Sequence, residues 1–400
     1  MPAEPNVSHA KPRCSCVALL GTALGVLSLA LPWLTLRTSR LAAGEGVLLW
    51  DVAGPAVVAV VALGWFAALV SSFDANTQRR ALTLGVCGTL LAPLTLLIAG
   101  SGSTSLLSSA EEFARSSLGP GIWVGLIATY VLLHTARQSL GAQPFLRNVF
   151  TWAPLATIVA IGMTGAYNDL SLAREFSGNE SRFVQEALTH IALSLGSVAI
   201  GACIAVPLGI AATRSRRAER PIFIIASAIE TIPSLALFGL IIAPLSALSY
   251  AYPALREAGI RGVGITPALI ALVLYSLLPI VHNTYVGLKE VSPAAMDAGR
   301  GMGMSRAQLA RRVEFPLAAP LIAEGVRTAS VQSIGNTAVA ALIGAGGLGH
   351  FIFQGLEQAA PDLILLGALP VIALALLVDI IMRAAIAALT PRGMHTEATT

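Results

Sequence analysis

Among the ionisable or polar side chains inside apolar runs of this 400-residue chain are Glu230, Asn283, Glu324, Arg327, Asn336 and Asp379. Such groups are costly at bilayer depth, so they face a bundle interior or a water-filled path, where they pair with each other or touch what passes. Spacing separates the two roles. Glu324 and Arg327 are three apart, and Asp379 and Arg383 four apart, so each pair shares a helix face and structural pairing is the default. Glu230 opens Glu-Thr-Ile-Pro-Ser in mid-run, where Pro233 must break the helix. Its carboxylate either serves a pathway or bonds backbone freed by that break. Asn283, Thr284 and Tyr285 precede a charged loop. They could line a route for a cationic amine, with Tyr285 offering a π face, or bond between helices, which is the simpler expectation. Gly344-x-Gly346-Gly347-x-Gly349 follows an apolar run rather than a strand, so it is no dinucleotide fingerprint. Its expected place is the outer end of that run, allowing close packing, a re-entrant bend or a gate. The candidate pathway or gate set is therefore Glu230, Pro233, Asn283, Tyr285, Asn336, Gly346 and Gly347.

Catalysis has no comparable support. No Ser/His/Asp or Cys/His arrangement is present, and His134, His190 and His282 lack metal-ligand spacing and read as packing or interfacial residues. Cys14-x-Cys16 is a weak metal or redox signal, while Cys87 and Cys203 lie in apolar runs as packing residues. The only lysines, Lys11 and Lys289, follow no glycine-rich phosphate loop, which excludes GxxxxGK[ST]. No loop is long enough to be a substrate receptor.

The elements that must position these groups are membrane helices. Apolar residues make up 55% of the chain and charged ones 12%, against roughly 25% charged in soluble domains. Mean hydropathy is +0.76. Ten apolar runs are long enough to span a bilayer as helices: 16–36, 47–72, 81–100, 120–137, 149–167, 185–212, 221–245, 264–288, 319–343 and 362–389. The fold class is an all-α polytopic membrane protein with about ten transmembrane helices. Lys11 and Arg13 before the first run resemble a signal peptide, but no small-x-small cleavage site is clear, so the run is taken as an uncleaved span. With the N-terminus inside, the inner segments hold seventeen basic residues and the outer ones seven. That bias puts both termini on the cytoplasmic side of a multi-pass inner-membrane protein. The net charge of +4 belongs to these loops and does not indicate nucleic-acid binding.

One inner segment stands apart. EVSPAAMDAGRGMGMSRAQLARRVEFP, residues 290–316, lies between two apolar runs and, with Lys289, carries Arg300, Arg306, Arg311 and Arg312. Pro293 can start a short helix ending at Gly301. Gly303 supplies a turn that a Cβ would resist. Ser305 with Gln308 forms a capping box for a second helix, which carries Leu309 and Val313 on one face and stops at Pro316. Two short helices at the cytoplasmic surface are expected, a shape that can plug into a partner protein.

Asp297-Ala298-Gly299, Gly303 and Val313-x-Phe315-Pro316 resemble the coupling loop of ABC-importer permeases. That loop usually reads Glu-Ala-Ala, three residues, Gly, nine residues, a branched apolar residue, x, Leu-Pro. Asp297, Gly299 and Phe315 depart from it, while the spacing is kept. ETIPSLALFGL (230–240), LYSLLPIVHNTYVGLKEV (274–291), GMGMS (301–305) and LIGAGGLGHFIFQGL (342–356) are similar to permeases of osmoprotectant importers, which carry glycine betaine, choline or carnitine. The resemblance covers roughly 183–390 and implies a five-helix type I core, similar to the methionine permease. It implies that Asp297, Ala298, Gly299, Gly303, Val313 and Pro316 couple the chain to a cytoplasmic ATPase subunit. ATP would bind there, with no cofactor on this chain. It also implies an extracytoplasmic substrate-binding protein and a second permease copy, as a homodimer or with a paralogue, in membrane lipid.

The expected organisation is a cytoplasmic tail at 1–15, an accessory five-span domain at 16–168, the permease core at 183–390 with its coupling loop at 289–318, and a tail at 391–400. The alternatives are an ion-gradient-driven secondary transporter of small amines, or a permease for another small solute such as an amino acid. A non-transporting scaffold would leave the docking loop unexplained. The former predicts inverted repeats with broken helices, of which Glu230 beside Pro233 is the sole hint.

Overall fold

The computed structural model describes residues 15–39, 42–111, 113–141 and 143–391. The tail expected at 1–15 lies outside them except for Ser15, as do Lys11, Arg13, Cys14, Arg40 and the tail 392–400 with Arg392. The chain divides into two compact units, 1–178 and 179–400. All ten apolar runs are helical over most of their length. Among the described residues seven helices are long and apolar enough to cross a membrane: Pro55–Ser72, Thr77–Ser108, Pro144–Met163, Glu180–Arg214, Ser234–Ala251, Ile265–Lys289 and Pro361–Leu389. Pro120–Ser139 and Phe315–Ala340 are long enough but more polar, and Cys16–Ala30 has 15 residues.

In the N-terminal unit the helices Cys16–Ala30, Pro55–Ser72, Thr77–Ser108, Pro120–Ser139 and Pro144–Met163 share one apolar core around Trp33, Trp65, Leu84, Ile122 and Leu132. Gly25 admits the Trp65 ring so closely that a Cβ would lie 2.1 Å from it. The expectation of an all-helical chain needs a correction here. The first run is helical only to Ala30, because Leu31 precedes Pro32 and is held extended at φ −97°, ψ 153°. It continues as a strand, Leu34–Arg37, between Glu45–Val47 and Arg115–Leu118 in a small antiparallel sheet. Trp33 anchors that turn, its Nε1 donating to the Ser28 carbonyl at 2.9 Å. The second run is also interrupted, with Leu49–Val52 separated from Pro55–Ser72 by extended Ala53 and Gly54.

In the C-terminal unit Ile265–Lys289 is the most enclosed long helix, packed between Glu180–Arg214 and Phe315–Ala340. Small residues set those contacts. A Cβ on Gly201 would meet Ser276, one on Gly209 would meet Thr284, and one on Gly325 would lie 2.8 Å from the Pro279 carbonyl. Close approach through small residues is how helices associate where no hydrophobic effect separates protein from lipid. The run 221–245 is two helices, Arg216–Thr231 and Ser234–Ala251, with Ile232 extended before Pro233. Tyr275 donates its hydroxyl to the Ile232 carbonyl at 2.6 Å and satisfies the break. The polar stretch at the unit boundary is itself helical, as Ser171–Gly178 and the start of Glu180–Arg214.

Candidate functional site

The charged loop is built as Pro293–Gly301, a turn, then Arg306–Leu309. Pro293 sits in the first turn, where its missing N–H costs nothing. Gly303 has φ +77°, and its N–H reaches the Arg300 carbonyl at 2.9 Å. A Cβ there would meet nothing within 4 Å, so backbone conformation alone asks for glycine. Ser305 Oγ accepts the Gln308 N–H at 3.3 Å, and Gln308 Oε1 accepts the Ser305 N–H at 2.8 Å, closing the capping box. Gly299 is buried against the second helix, where a Cβ would come 2.5 Å from Leu309 Cδ1 and 3.6 Å from Val313 Cγ2. Asp297 and Ala298 stay exposed, Asp297 accepting from Arg300 at 2.7 Å.

Pro316 does not end the second helix. The chain passes from Arg306–Leu309 through a π-turn, Ala310–Glu314, into Phe315–Ala340, with Pro316 in that helix's first turn. Phe315 keeps helical angles of −64° and −44° despite preceding proline. The wider turn relieves the ring clash and the lost N–H that would otherwise stop a helix. Arg306 and Ala340 are thus joined by continuous helical backbone, so a push on the loop reaches the apolar segment directly. Glu314, nearly buried, is held by Arg214 at the end of Glu180–Arg214. The loop surface forms a groove lined by Met296, Met304 and Leu309 with Arg214, Arg300 and Glu314 at its polar edges.

The pathway candidates fall into separate sets. Glu230 accepts from Gln332 Nε2 at 3.3 Å. Asn336, one turn beyond Gln332 and half-buried, makes no side-chain hydrogen bond to another described residue. Pro233 marks the break that brings Glu230 to this helix. Asn283 instead donates to the Pro279 carbonyl of its own helix at 2.8 Å. Tyr285 does not offer an open ring. Its hydroxyl bonds Glu219 Oε1 at 2.5 Å, Lys289 Nζ lies over its face 4.3 Å from the centroid, and Phe223 packs edge-on at 5.2 Å.

Gly346 and Gly347 lie in a left-handed turn with Gly344, at φ +79°, +91° and +77°. Two side chains of Glu180–Arg214 hold it. Glu186 Oε2 accepts the Gly347 N–H at 2.7 Å, and His190 Nδ1 accepts the Leu348 N–H at 3.2 Å. With Nδ1 accepting, Nε2 carries the proton and donates to the Ile334 carbonyl at 3.0 Å. A Cβ on Gly346 would lie 2.9 Å from Glu186 Oε2, so glycine is needed for space as well as for φ. His190 is therefore a fully buried clamp across three segments rather than an interfacial residue.

Comparison with known proteins decides the family. The model of the binding-protein-dependent transport system inner membrane component matches residues 205–392. The choline transport system permease protein OpuBB of Bacillus subtilis is 40% identical over 217 residues, covering 54% of this chain and 93% of the relative. The chain belongs to the ABC-importer permeases. The osmoprotectant import permease protein OsmW of Salmonella typhimurium is also 40% identical, over 52% of this chain and 91% of the relative. Residues 12–173 match the N-terminal domain of the ABC transporter permease YehY. Among solved structures the MetNI methionine ABC transporter aligns with 20% identity and TM-score 0.45, over 52% of this chain and 96% of that one.

This permease carries structural partners that its sequence alone did not expose. Glu186, Glu219, Glu314 and Gln332 read as ordinary polar residues, because their partners lie 161, 66, 100 and 102 positions away. A glycine turn after an apolar run, whose N–H groups need acceptors, was the one signal that could have pointed to Glu186.

Proposed function

We propose that this permease carries a small quaternary amine of the glycine betaine, choline or carnitine class into the cell by alternating access. What supports this is the agreement between the loop geometry, a left-handed Gly303 between two packed short helices, and relatives named as choline, carnitine and glycine betaine permeases. The loop, with Asp297, Ala298 and Gly303 at its surface and Gly299 and Val313 in its packing, seats in a separate ATPase subunit. Closure of that ATPase on ATP moves the helix through Pro316 into the membrane. Both termini lie in the cytoplasm, as the loop charges favour. An extracytoplasmic binding protein delivers the substrate, and a second copy of this chain or a paralogue completes the path. Glu230 and Asn336 face that path, where a carboxylate near the Pro233 break favours a cation.

Affinity purification of the full chain from its native membrane tests the assembly. An ATPase and a binding protein are expected to come with it, and the binding protein should bind betaine or choline in titration. A chain that purifies without an ATPase, or a co-purified binding protein that ignores quaternary amines and takes amino acids, contradicts the reading at the first or second step.

A further inference from the structure

Arginines with a buried Nε that has no hydrogen-bond partner among the described residues occur at both ends of the N-terminal unit, Arg37 being the one in the sheet. At the end near the sheet, Arg115 pairs with Glu175 at 3.5 Å and Arg174 with Asp169 at 3.0 Å. At the other end, Arg79, Arg80 and Arg137 form no ion pair with a described residue. The Nε atoms of Arg80 and Arg137 are buried and without a hydrogen-bond partner among the described residues. Arg80 makes one long bond of 3.4 Å, to the Asp74 carbonyl. Arg79 and Arg80 sit in the first turn of Thr77–Ser108. A Cβ on Gly88 of that helix would lie 2.7 Å from Leu133 of antiparallel Pro120–Ser139, so Arg137, one turn past Leu133, points to the same end. Buried guanidinium donors without acceptors are rare and call for a partner.

A groove of about 620 Å³ lies between Pro55–Ser72 and Thr77–Ser108, and none of the three arginines lines it. Phe66, Val70 and Phe73 give it an apolar wall, with Thr83 and Asp74 also lining it. Thr83 Oγ1 bonds the Arg79 carbonyl at 3.1 Å, which places Arg79 one turn from the groove. The Asp74 carboxylate is engaged by the Asn76 N–H at 2.8 Å. An apolar slot beside unneutralised arginines, on helices that end at a membrane surface, matches a molecule with an anionic head and a hydrocarbon tail.

We propose that this end of the N-terminal unit binds an anionic phospholipid, its phosphate on Arg79, Arg80 and Arg137 and an acyl chain along Phe66 and Val70. The site depends on the membrane assignment and not on the transported substrate. Each arginine contributes on the order of fivefold to binding an anionic surface, so the three together contribute roughly a hundredfold.

The test uses the full-length protein in nanodiscs of phosphatidylcholine doped with phosphatidylglycerol, followed by native mass spectrometry of retained lipid. The protein should retain phosphatidylglycerol over phosphatidylcholine. The triple variant R79Q/R80Q/R137Q should lose that preference, and R79K/R80K/R137K should keep most of it, which separates lost charge from lost fold. Val70→Trp should lower retention of both lipids by filling the groove. Equal retention of the two lipids by the wild type overturns the proposal. So does an unchanged preference in the glutamine variant, or displacement of the lipid by millimolar inorganic phosphate, which would mark a free-anion site.

Discussion

The two units differ in how far their polar groups reach between helices. In the N-terminal unit the buried hydroxyls mostly turn back on their own helix: Ser28 donates to the Gly25 carbonyl, Thr95 to Leu91 and Thr135 to Val131. Its exceptions gather near the sheet, where Ser103 bonds Ser116 and Thr104 bonds Asp169. In the C-terminal unit the hydroxyls of Ser194, Ser276, Ser330 and Thr337 also turn back, but a further set of polar groups reaches between helices. Ser197 and Ser333 bond at 2.9 Å, His190 spans to Ile334 and Leu348, Arg214 holds Glu314, and Arg327 joins Glu324 to Asp379 on another helix. The first pattern leaves helix association to shape, as at Gly25 and Trp65. The second ties helices through a few discrete bonds that can be exchanged for others. A transport core must have two arrangements, and bonds between helices that can be exchanged for others help to define each of them.

The largest expected effect comes from breaking the inter-helix charge network. Arg327→Leu strands Asp379, about 20% exposed, with only Arg383 to answer it. The variant is expected to unfold at a clearly lower temperature than the wild type, because the Asp379 carboxylate loses its partner on the other helix. The double variant Arg327→Leu/Asp379→Leu should recover most of the difference. Thermal unfolding of the four members of that cycle checks both, and a null coupling would make this unit as pairwise-independent as the other.

Gly25→Leu attacks the other side of the comparison. A side chain would enter the space of the Trp65 ring, and overpacking of this kind costs about 1–3 kcal/mol. The melting temperature should fall while substrate-stimulated ATP hydrolysis per folded molecule stays unchanged. Lost stimulation at full folding would show that the N-terminal unit takes part in coupling.

His190→Phe keeps ring volume but strands the Leu348 N–H. A cost of about 1–3 kcal/mol is expected. The signature is local, with faster hydrogen exchange confined to residues 344–349. Uniformly faster exchange would instead mean that His190 is a general core residue.

Much of this arrangement was legible in the chain, for reasons that also explain the gaps. Apolar runs announce membrane helices because lipid leaves backbone groups no other partner. Gly303, Ser305 and Gln308 announce their turn because each acts within three residues. Pro316 misled, since a proline signals a stop unless the preceding turn widens, and nothing in Ala-Arg-Arg-Val-Glu marks a π-turn. The sheet was hidden because its strands are only three or four residues long. Glu186 and His190 were hidden because their partners are about 160 residues away. The main partner of Tyr285 was hidden because Glu219 lies 66 positions away, although Lys289 sits only one turn along the same helix.

The smallest effect concerns the sheet end of the N-terminal unit. Arg174, and then Thr104, bond the Asp169 carboxylate and hold its pKa below the usual carboxylate value. A depressed folded pKa gives stability that is present above the unfolded value, near 3.9, and lost as pH falls through the folded one. Asp169→Asn should therefore lower the melting temperature slightly at neutral pH, by no more than about 1 kcal/mol for so exposed a pair. That difference should begin to shrink below about pH 4 and vanish only once the pH is below the folded value. A difference that persists in acid would assign Asp169 a role other than its charge.

The central claim is that the C-terminal unit is moved through the 293–316 loop, and Gly303→Asp tests it most directly. Its left-handed turn tolerates aspartate better than most side chains, and no neighbour lies within 4 Å of a Cβ, so the protein should insert and fold normally. In proteoliposomes with the ATPase and the binding protein, uptake of the quaternary amine is predicted to collapse while the permease remains folded. Unchanged uptake together with unchanged ATPase co-purification would contradict the coupling role of the loop.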